Sequence, residues 1–407
     1  QHPGICNLRT VSLPGTFVNV AKEIFQQQDL NVIKNVAVDL SNYLVSRRTP
    51  ENRSLGKRRK TSRKLLTNSH EKVDALEALG NGEEIEIQNT NARNRENQNA
   101  YWKQIVYDHQ NSHAFLLARS PGCYASSFRV LSNLKHEDFS FTPKSMLDFG
   151  SGTGTSMWAA NKLWKESLKQ YVCVDSSEHM NRLSHTLHTT ADTESDLPPG
   201  IFIRKFLPSF KMTYDLVISS YTLSEQPSLK ERMILLKLLW EKTSDYLVII
   251  EHGNFNGYQI IMEARNLLVS GIEGIKGQKT WKNWPDNATV VAPCPHDGPC
   301  PMWGSKTSCI FSQTYNVPSF AKMGTASESF SYVVLKKNSS VENTQRTHSW
   351  PRVVGGPNEQ KSCVDCSVCT TDGVLENLHI TKKIHGTNLK SMVKKCHRGD
   401  YIPFENA

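Results

Sequence analysis

Apolar residues recur along the chain with two different periods. Within residues 1–46 an extended, proline-containing start gives way to helical spacing, with Val18, Ala21, Ile24 and Phe25, then Val32, Val36, Leu40 and Leu44, on single faces. Residues 71–140 also read as helical, and Tyr124, Phe128 and Leu131 of YASSFRVLSNL (124–134) form a stripe suited to packing a helical cap on a core. From residue 145 the period changes. The short apolar runs SMLDFG, QYVCVD, YDLVISSY and YLVIIEHG alternate with helix-compatible stretches such as SMWAANKLWKESL and LKERMILLKLLWEK. Buried strands alternating with amphipathic helices predict a doubly wound α/β sheet. After Gly253 the pattern loosens into a Cys/Pro loop; SYVVLKK (331–337) predicts a last strand, followed by a polar spacer (338–349) and a basic, cysteine-bearing segment. The predicted organisation is a helical region over 1–140 with a basic linker at 47–70, an α/β domain over 141–290, and a cysteine-rich region over 291–407 that completes the sheet.

The chain has 407 residues, enough for two or three domains and a sizeable core. No run of about 18 apolar residues occurs, so the sequence predicts no membrane span. A formal charge of +9 points toward polyanionic partners. Much of the excess is local, from Arg47, Arg48 and Arg53 to Lys57, Arg58, Arg59, Lys60, Arg63 and Lys64. Such a run reads either as a solvated linker or as an arm that contacts nucleic acid. The first residue is Gln1 rather than methionine, which fits a targeting segment already removed.

DFGSGTGT (148–155) lies directly between an apolar run and a helical pattern. Glycines in that place let the backbone turn tightly against a ligand at a helix N-terminus. The form is D-x-G-x-G-x-G, and an acidic residue before the first glycine suits a cationic or amino-bearing ligand better than a pyrophosphate. Asp175 closes the next strand, where a carboxylate can accept from both ribose hydroxyls. Asp148, Gly150, Gly152, Gly154 and Asp175 together resemble the S-adenosylmethionine-binding motifs of class I methyltransferases, which implies a Rossmann-like fold. Chemistry is less legible: SSYTLSE (219–225) lacks the proline pair of exocyclic-amine methyltransferases, no Pro-Cys nucleophile pair follows, and Tyr221 and Glu225 are merely polar candidates. No catalytic residue is assigned, and the expectation is a binding fold without recognisable transfer chemistry.

Of ten cysteines, Cys6, Cys123 and Cys173 are scattered, and Cys173 reads as a core residue inside an apolar strand. The other seven fall in the last third, which favours a local metal site over a disulfide framework. Cys294, Cys300 and Cys309 share a loop stiffened by Pro293, Pro295, Pro299 and Pro301. A fourth thiolate is available from Cys363, Cys366 or Cys369, and four thiolates suit zinc or an iron-sulfur cluster. His296 is a further possible zinc ligand.

HPGI (2–5), MLDFGSGTGT, YDLVISSYTLSE, LVIIEHGNFNGYQII, APCPHDGPCP with its following cysteine, WPRVV and VCTTDG resemble the methyltransferase-like protein 17 family of mitochondrial small-ribosomal-subunit assembly factors, over nearly the whole chain. The resemblance implies a class I methyltransferase fold with a cluster-bearing C-terminal region. It also implies a mitochondrial matrix protein that binds small-subunit ribosomal RNA in the pre-ribosomal subunit, alongside other assembly factors. By motif it assigns a 4Fe-4S cluster, in place of zinc, to Cys294, Cys300, Cys309 and Cys369, with Cys366 the rival for the fourth position. An active S-adenosylmethionine-dependent rRNA methyltransferase and a zinc-dependent RNA-binding module are the competing readings.

Overall fold

The computed structural model describes residues 3–47, 103–189, 197–209, 211–271, 288–305, 307–337 and 349–403. Two helices open the chain, α1 (Gly15–Gln26) and α2 (Leu30–Ser46), the second capped by Asp29, whose carboxylate accepts from the Asn31 and Val32 N–H groups. After an extended segment at 103–108 come α3 (His109–Ala118) and α4 (Ser120–Glu137). The predicted all-helical stretch is therefore interrupted there; its part over 71–102, most of the basic linker and the spacer at 338–348 lie outside the described residues.

The α/β core follows as β1 (Ser145–Phe149), α5 (Thr155–Trp164), β2 (Gln170–Val174), α6 (Glu178–His188), β3 (Ile201–Arg204), β4 (Tyr214–Ser220), α7 (Leu229–Lys242) and β5 (Thr243–His252). Then come α8 (Phe255–Val269), β6 (Ala288–Ala292), β7 (Phe311–Val317) and β8 (Gly324–Lys337). The strand order is β3-β2-β1-β4-β5-β8-β6, with β7 paired to β8. The first five strands are parallel, while β8 runs antiparallel between β5 and β6. That order, with one reversed strand next to the edge, is the class I methyltransferase sheet.

The apolar runs exist because helices cover both faces of the sheet. In β5, Tyr246, Val248 and Ile250 join the core under α1–α6, while Leu247 and Ile249 join the core under α7 and α8. The predicted last strand is longer than SYVVLKK suggests, because residues 324–330 pair with β7 through polar positions such as Ser327 and Glu328. Helix α8 went unread in the sequence, hidden by the asparagine and glycine of its first turn; Asn254 caps it by accepting from the Gly257 N–H at 2.8 Å.

The C-terminal segment is a further unit rather than a tail. Strands β9 (Arg352–Glu359), β10 (Cys363–Cys369) and β11 (Leu375–Thr381) form an antiparallel sheet, followed by α9 (Lys382–Val393), kinked at Gly386. It is fastened to the rest by buried polar groups. Arg352 donates to the hydroxyls of Tyr332 (3.1 Å) and Tyr401 and lies over the Tyr401 ring, 4.3 Å from its centroid. Asp400 accepts from the N–H groups of Cys6 (2.8 Å), Asn7 (2.7 Å) and His397 (2.7 Å). The Tyr401 N–H donates to the Gly4 carbonyl at 2.7 Å, an approach so close that a Cβ on Gly4 would sit 2.1 Å from the Tyr401 oxygen.

Removing a buried cation while leaving its partners in place is costly. We expect Arg352→Ala to lose about 3 kcal/mol of stability, measured as a lower denaturation midpoint, whereas truncating the exposed Lys383 changes it by less than about 0.5 kcal/mol.

Candidate functional site

Two sites emerge from the fold. The first lies where β1, β2 and β4 end. Gly150, Gly152 and Gly154 have φ of 72°, 51° and 78°, the left-handed region that side chains disfavour. A Cβ at Gly150 would meet Thr222 Oγ1 at 2.1 Å and one at Gly154 would meet His188 at 2.4 Å; at Gly152 the nearest atom, in Phe115, is 3.7 Å away. Two of the glycines thus serve packing as well as backbone shape, whereas Gly152 opens on a cavity of about 600 Å³. Gly150, Gly152 and Asp175 line that cavity; Gly154 caps α5, and Asp148 is buried below the loop.

Asp175 holds the loop together. Its Oδ2 accepts from the Gly152 N–H at 2.9 Å and its Oδ1 from the Ser177 N–H at 2.8 Å, next to the start of α6. Sequence reasoning gave both oxygens to a ribose; the structure ties each to a backbone donor and leaves each a second lone pair. Burial pushes the Asp175 carboxyl above its usual range, only partly offset by those donors. Burial likewise pushes Asp148 up to about 7, offset by a backbone donor and reinforced by the charge of Asp175, and its Oδ2 has no hydrogen-bond partner.

Another wall of the cavity is occupied by packed polar groups. Tyr221, with a φ of 59°, places its hydroxyl 2.9 Å from Ser126 Oγ and 3.2 Å from Glu328 Oε1. Arg119 forks onto Glu328 at 2.7 and 3.1 Å and lies over the Tyr221 ring. Glu225 accepts from Arg47 and from the Tyr107 hydroxyl, both at 3.0 Å. Both polar candidates of SSYTLSE are therefore held in the framework. Arg47, the first residue of the basic run, is buried in this ion pair rather than presented to a polyanion. Sequence reading passed over Arg119, Glu328 and Glu251. Glu251, pushed up to about 7 by burial, accepts from the Ser224 N–H at 3.0 Å; nothing in local spacing announces partners so distant in sequence.

The second site gathers Cys294, Cys300, Cys309 and Cys369 around one mainly apolar cavity beside α8, which Arg265 and Arg352 also line. The buried Arg265 pins the loop by donating to the carbonyls of His296 (3.0 Å) and Gly298 (2.7 Å). Arg398 donates to the carbonyl of Ile310 at 3.1 Å and to that of Val354. The Tyr258 hydroxyl lies 3.5 Å from Cys300 Sγ, and His296 Nε2 lies 3.4 Å from Cys369 Sγ. Burial pushes the Cys369 thiol up to about 12, and those of Cys294 and Cys309 also rise, with the neighbouring sulfurs adding to the effect. Arg265 opposes the rise at Cys294, as Arg398 does at Cys309.

The rival cysteines separate by parity. Because β10 is a strand, Cys363, Asp365, Ser367 and Cys369 alternate onto one face and Val364, Cys366 and Val368 onto the other. Cys366 accordingly sits in the core between the small sheet and α9 with Val353, Ile380 and Cys396, while Cys369 packs with Tyr258, Met262 and Met302. Sequence spacing treated the three cysteines as equivalent, and strand alternation splits them.

Among solved structures, the fold is similar to magnesium protoporphyrin IX methyltransferase from Synechocystis PCC 6803 with bound SAM (12% identity, 61% of this chain, 92% of that chain, TM-score 0.32). It is also similar to the plantazolicin methyltransferase BamL (10% identity, 54% of this chain, 86% of that chain, TM-score 0.31). Among sequences, the human ribosome assembly protein METTL17, mitochondrial, is 33% identical over 99% of this chain and 85% of its own length. The ribosome assembly protein RSM22, mitochondrial, of Saccharomyces cerevisiae is 22% identical over 68% of this chain and 64% of its own, and a Schizosaccharomyces pombe Rsm22-cox11 tandem protein is 27% identical over 72% and 43%. The family model for mitochondrial small ribosomal subunit Rsm22 matches residues 109–403, which take in the glycine loop and the four cysteines. The chain belongs to the Rsm22 family.

Proposed function

We propose that this protein is an assembly factor of the mitochondrial small ribosomal subunit. In this reading it works in the matrix, binds small-subunit ribosomal RNA within the pre-ribosomal particle beside other assembly factors, and uses its methyltransferase fold as a scaffold. The human and budding-yeast relatives are named as ribosome assembly proteins, and the formal charge of +9 suits an RNA partner.

The observation that carries the reading is the convergence of Cys294, Cys300, Cys309 and Cys369 beside buried arginines. These four thiols fit a 4Fe-4S cluster better than zinc. A tetrahedral zinc with bonds of about 2.3 Å brings its sulfurs within about 3.8 Å of one another. No three of these four sulfurs lie mutually within 4.8 Å. A cluster held by four thiolates carries net negative charge, which Arg265, Arg352 and Arg398 complement. When bound, such a cluster braces the proline-rich loop against β10 and supplies redox sensitivity rather than catalysis.

The cavity at the glycine loop supports a second reading, an active S-adenosylmethionine-dependent rRNA methyltransferase. Its volume and the opening at Gly152 favour cofactor binding. The commitment of Tyr221 and Glu225 to packed hydrogen bonds argues against methyl transfer.

Anaerobically isolated protein should be brown and contain about four iron atoms per chain, lost in Cys300→Ser and Cys369→Ser but kept in Cys366→Ser; a colourless protein holding one zinc overturns the cluster. Gly152→Leu should weaken S-adenosylmethionine binding at least tenfold, read by calorimetry, and leave assembly of the small subunit intact. Loss of a specific rRNA methyl mark in that variant would instead establish the enzyme. Affinity for small-subunit RNA should fall by about a hundredfold or more between roughly 50 and 200 mM salt; a flat salt profile excludes phosphate-dominated binding.

A further inference from the structure

We propose that Cys363, Asp365 and His379 form a second metal site, for a single divalent cation of the zinc class, at the other end of the β10 face that carries Cys369. The ligand atoms of the three residues all lie within 4.8 Å of one another. Strand geometry accounts for the gathering. Cys363 and Asp365 are two residues apart on β10 and so share a face, and His379 stands directly opposite Asp365 in the antiparallel register of β11. With about 3.4 Å per residue, this end of β10 lies roughly 20 Å from Cys369, too far to belong to the four-cysteine site.

The donor set selects the metal. One thiol, one imidazole and one carboxylate match zinc and disfavour the hard cations, which want oxygen alone. The surroundings supply a polar frame. Gln360 donates through Nε2 to Asp365 Oδ2 at 2.7 Å, and its Oε1 stands 3.5 Å from Cys363 Sγ, so the fourth position falls to that amide oxygen or to water. His379 Nδ1 lies 2.6 Å from Asp365 Oδ1. Around a tetrahedral zinc the two atoms would stand about 3.4 Å apart, a widening that the exposed imidazole can supply by a small rotation. The other cysteine–histidine–carboxylate gathering, Cys6 with His136 and Glu137, lies within the fields of Arg352 and Arg129, which oppose a cation there.

Zinc retention by the full chain, followed by equilibrium dialysis against a chromophoric chelator, tests the assignment independently of the four-cysteine cluster. One zinc should remain bound both in the unaltered protein and in Cys300→Ser. His379→Ala, which changes an exposed side chain and leaves the core intact, and Cys363→Ser should each weaken it at least tenfold. Cys366→Ser, on the opposite strand face, should leave it unchanged. Cobalt in place of zinc should show a thiolate charge-transfer band that Cys363→Ser abolishes and Cys366→Ser retains. The proposal fails if no zinc survives in Cys300→Ser, or if His379→Ala binds zinc as tightly as the unaltered chain.

Discussion

Arg352 is the joint of this molecule. It opens β9, bonds to a tyrosine of the central sheet through Tyr332 and to one near the C-terminus through Tyr401, and lines the cavity of the four cysteines. A guanidinium without exposure to water must be compensated on every side. Two phenol oxygens, an aromatic face and the nearby Glu137 do so for its two terminal nitrogens, while the buried Nε has no hydrogen-bond partner among the described residues. The small sheet can therefore dock on the α/β core in one orientation, and that orientation brings Cys369 to Cys294, Cys300 and Cys309.

The two cavities differ in their charged surroundings. Around the cysteines the fixed charges are cationic, from Arg265, Arg352 and Arg398, and burial pushes the thiols of Cys294, Cys309 and Cys369 upward. Around the glycine loop the carboxylates Asp148, Asp175 and Glu251, all pushed upward by loss of water, stand among buried arginines, Arg47 and Arg119, each paired with a glutamate.

Much of this was legible in the sequence. The α/β domain could be read because a parallel sheet covered on both faces leaves continuous apolar runs, and the glycine loop because three left-handed positions in five residues demand glycine. The small C-terminal sheet was not, since β9 and β11 interleave polar residues with few apolar ones and look like spacer. The cysteines show both outcomes at once. Proline spacing marks Cys294, Cys300 and Cys309 as a stiff loop suited to a metal, whereas spacing alone offers Cys363, Cys366 and Cys369 equally as the fourth ligand, and only the strand's alternation separates Cys366 from Cys369. Long-range partners such as Arg47 with Glu225 and Arg119 with Glu328 leave no trace in local spacing.

The clasp between Gly4, Cys6 and Asn7 at one end and Asp400 and Tyr401 at the other has a temporal meaning. Contacts spanning almost the entire chain are the slowest kind to form, because loop closure must come before any reward from the contact itself. The bonds of Gly4, Cys6 and Asn7 to Asp400 and Tyr401 can form only once residues 400 and 401 have been synthesised, whereas the Asn7 side chain also meets Arg129, far earlier in the chain. β10 likewise follows the proline-rich loop in the chain, so Cys294, Cys300 and Cys309 are synthesised before the Cys369 that joins them in the folded protein.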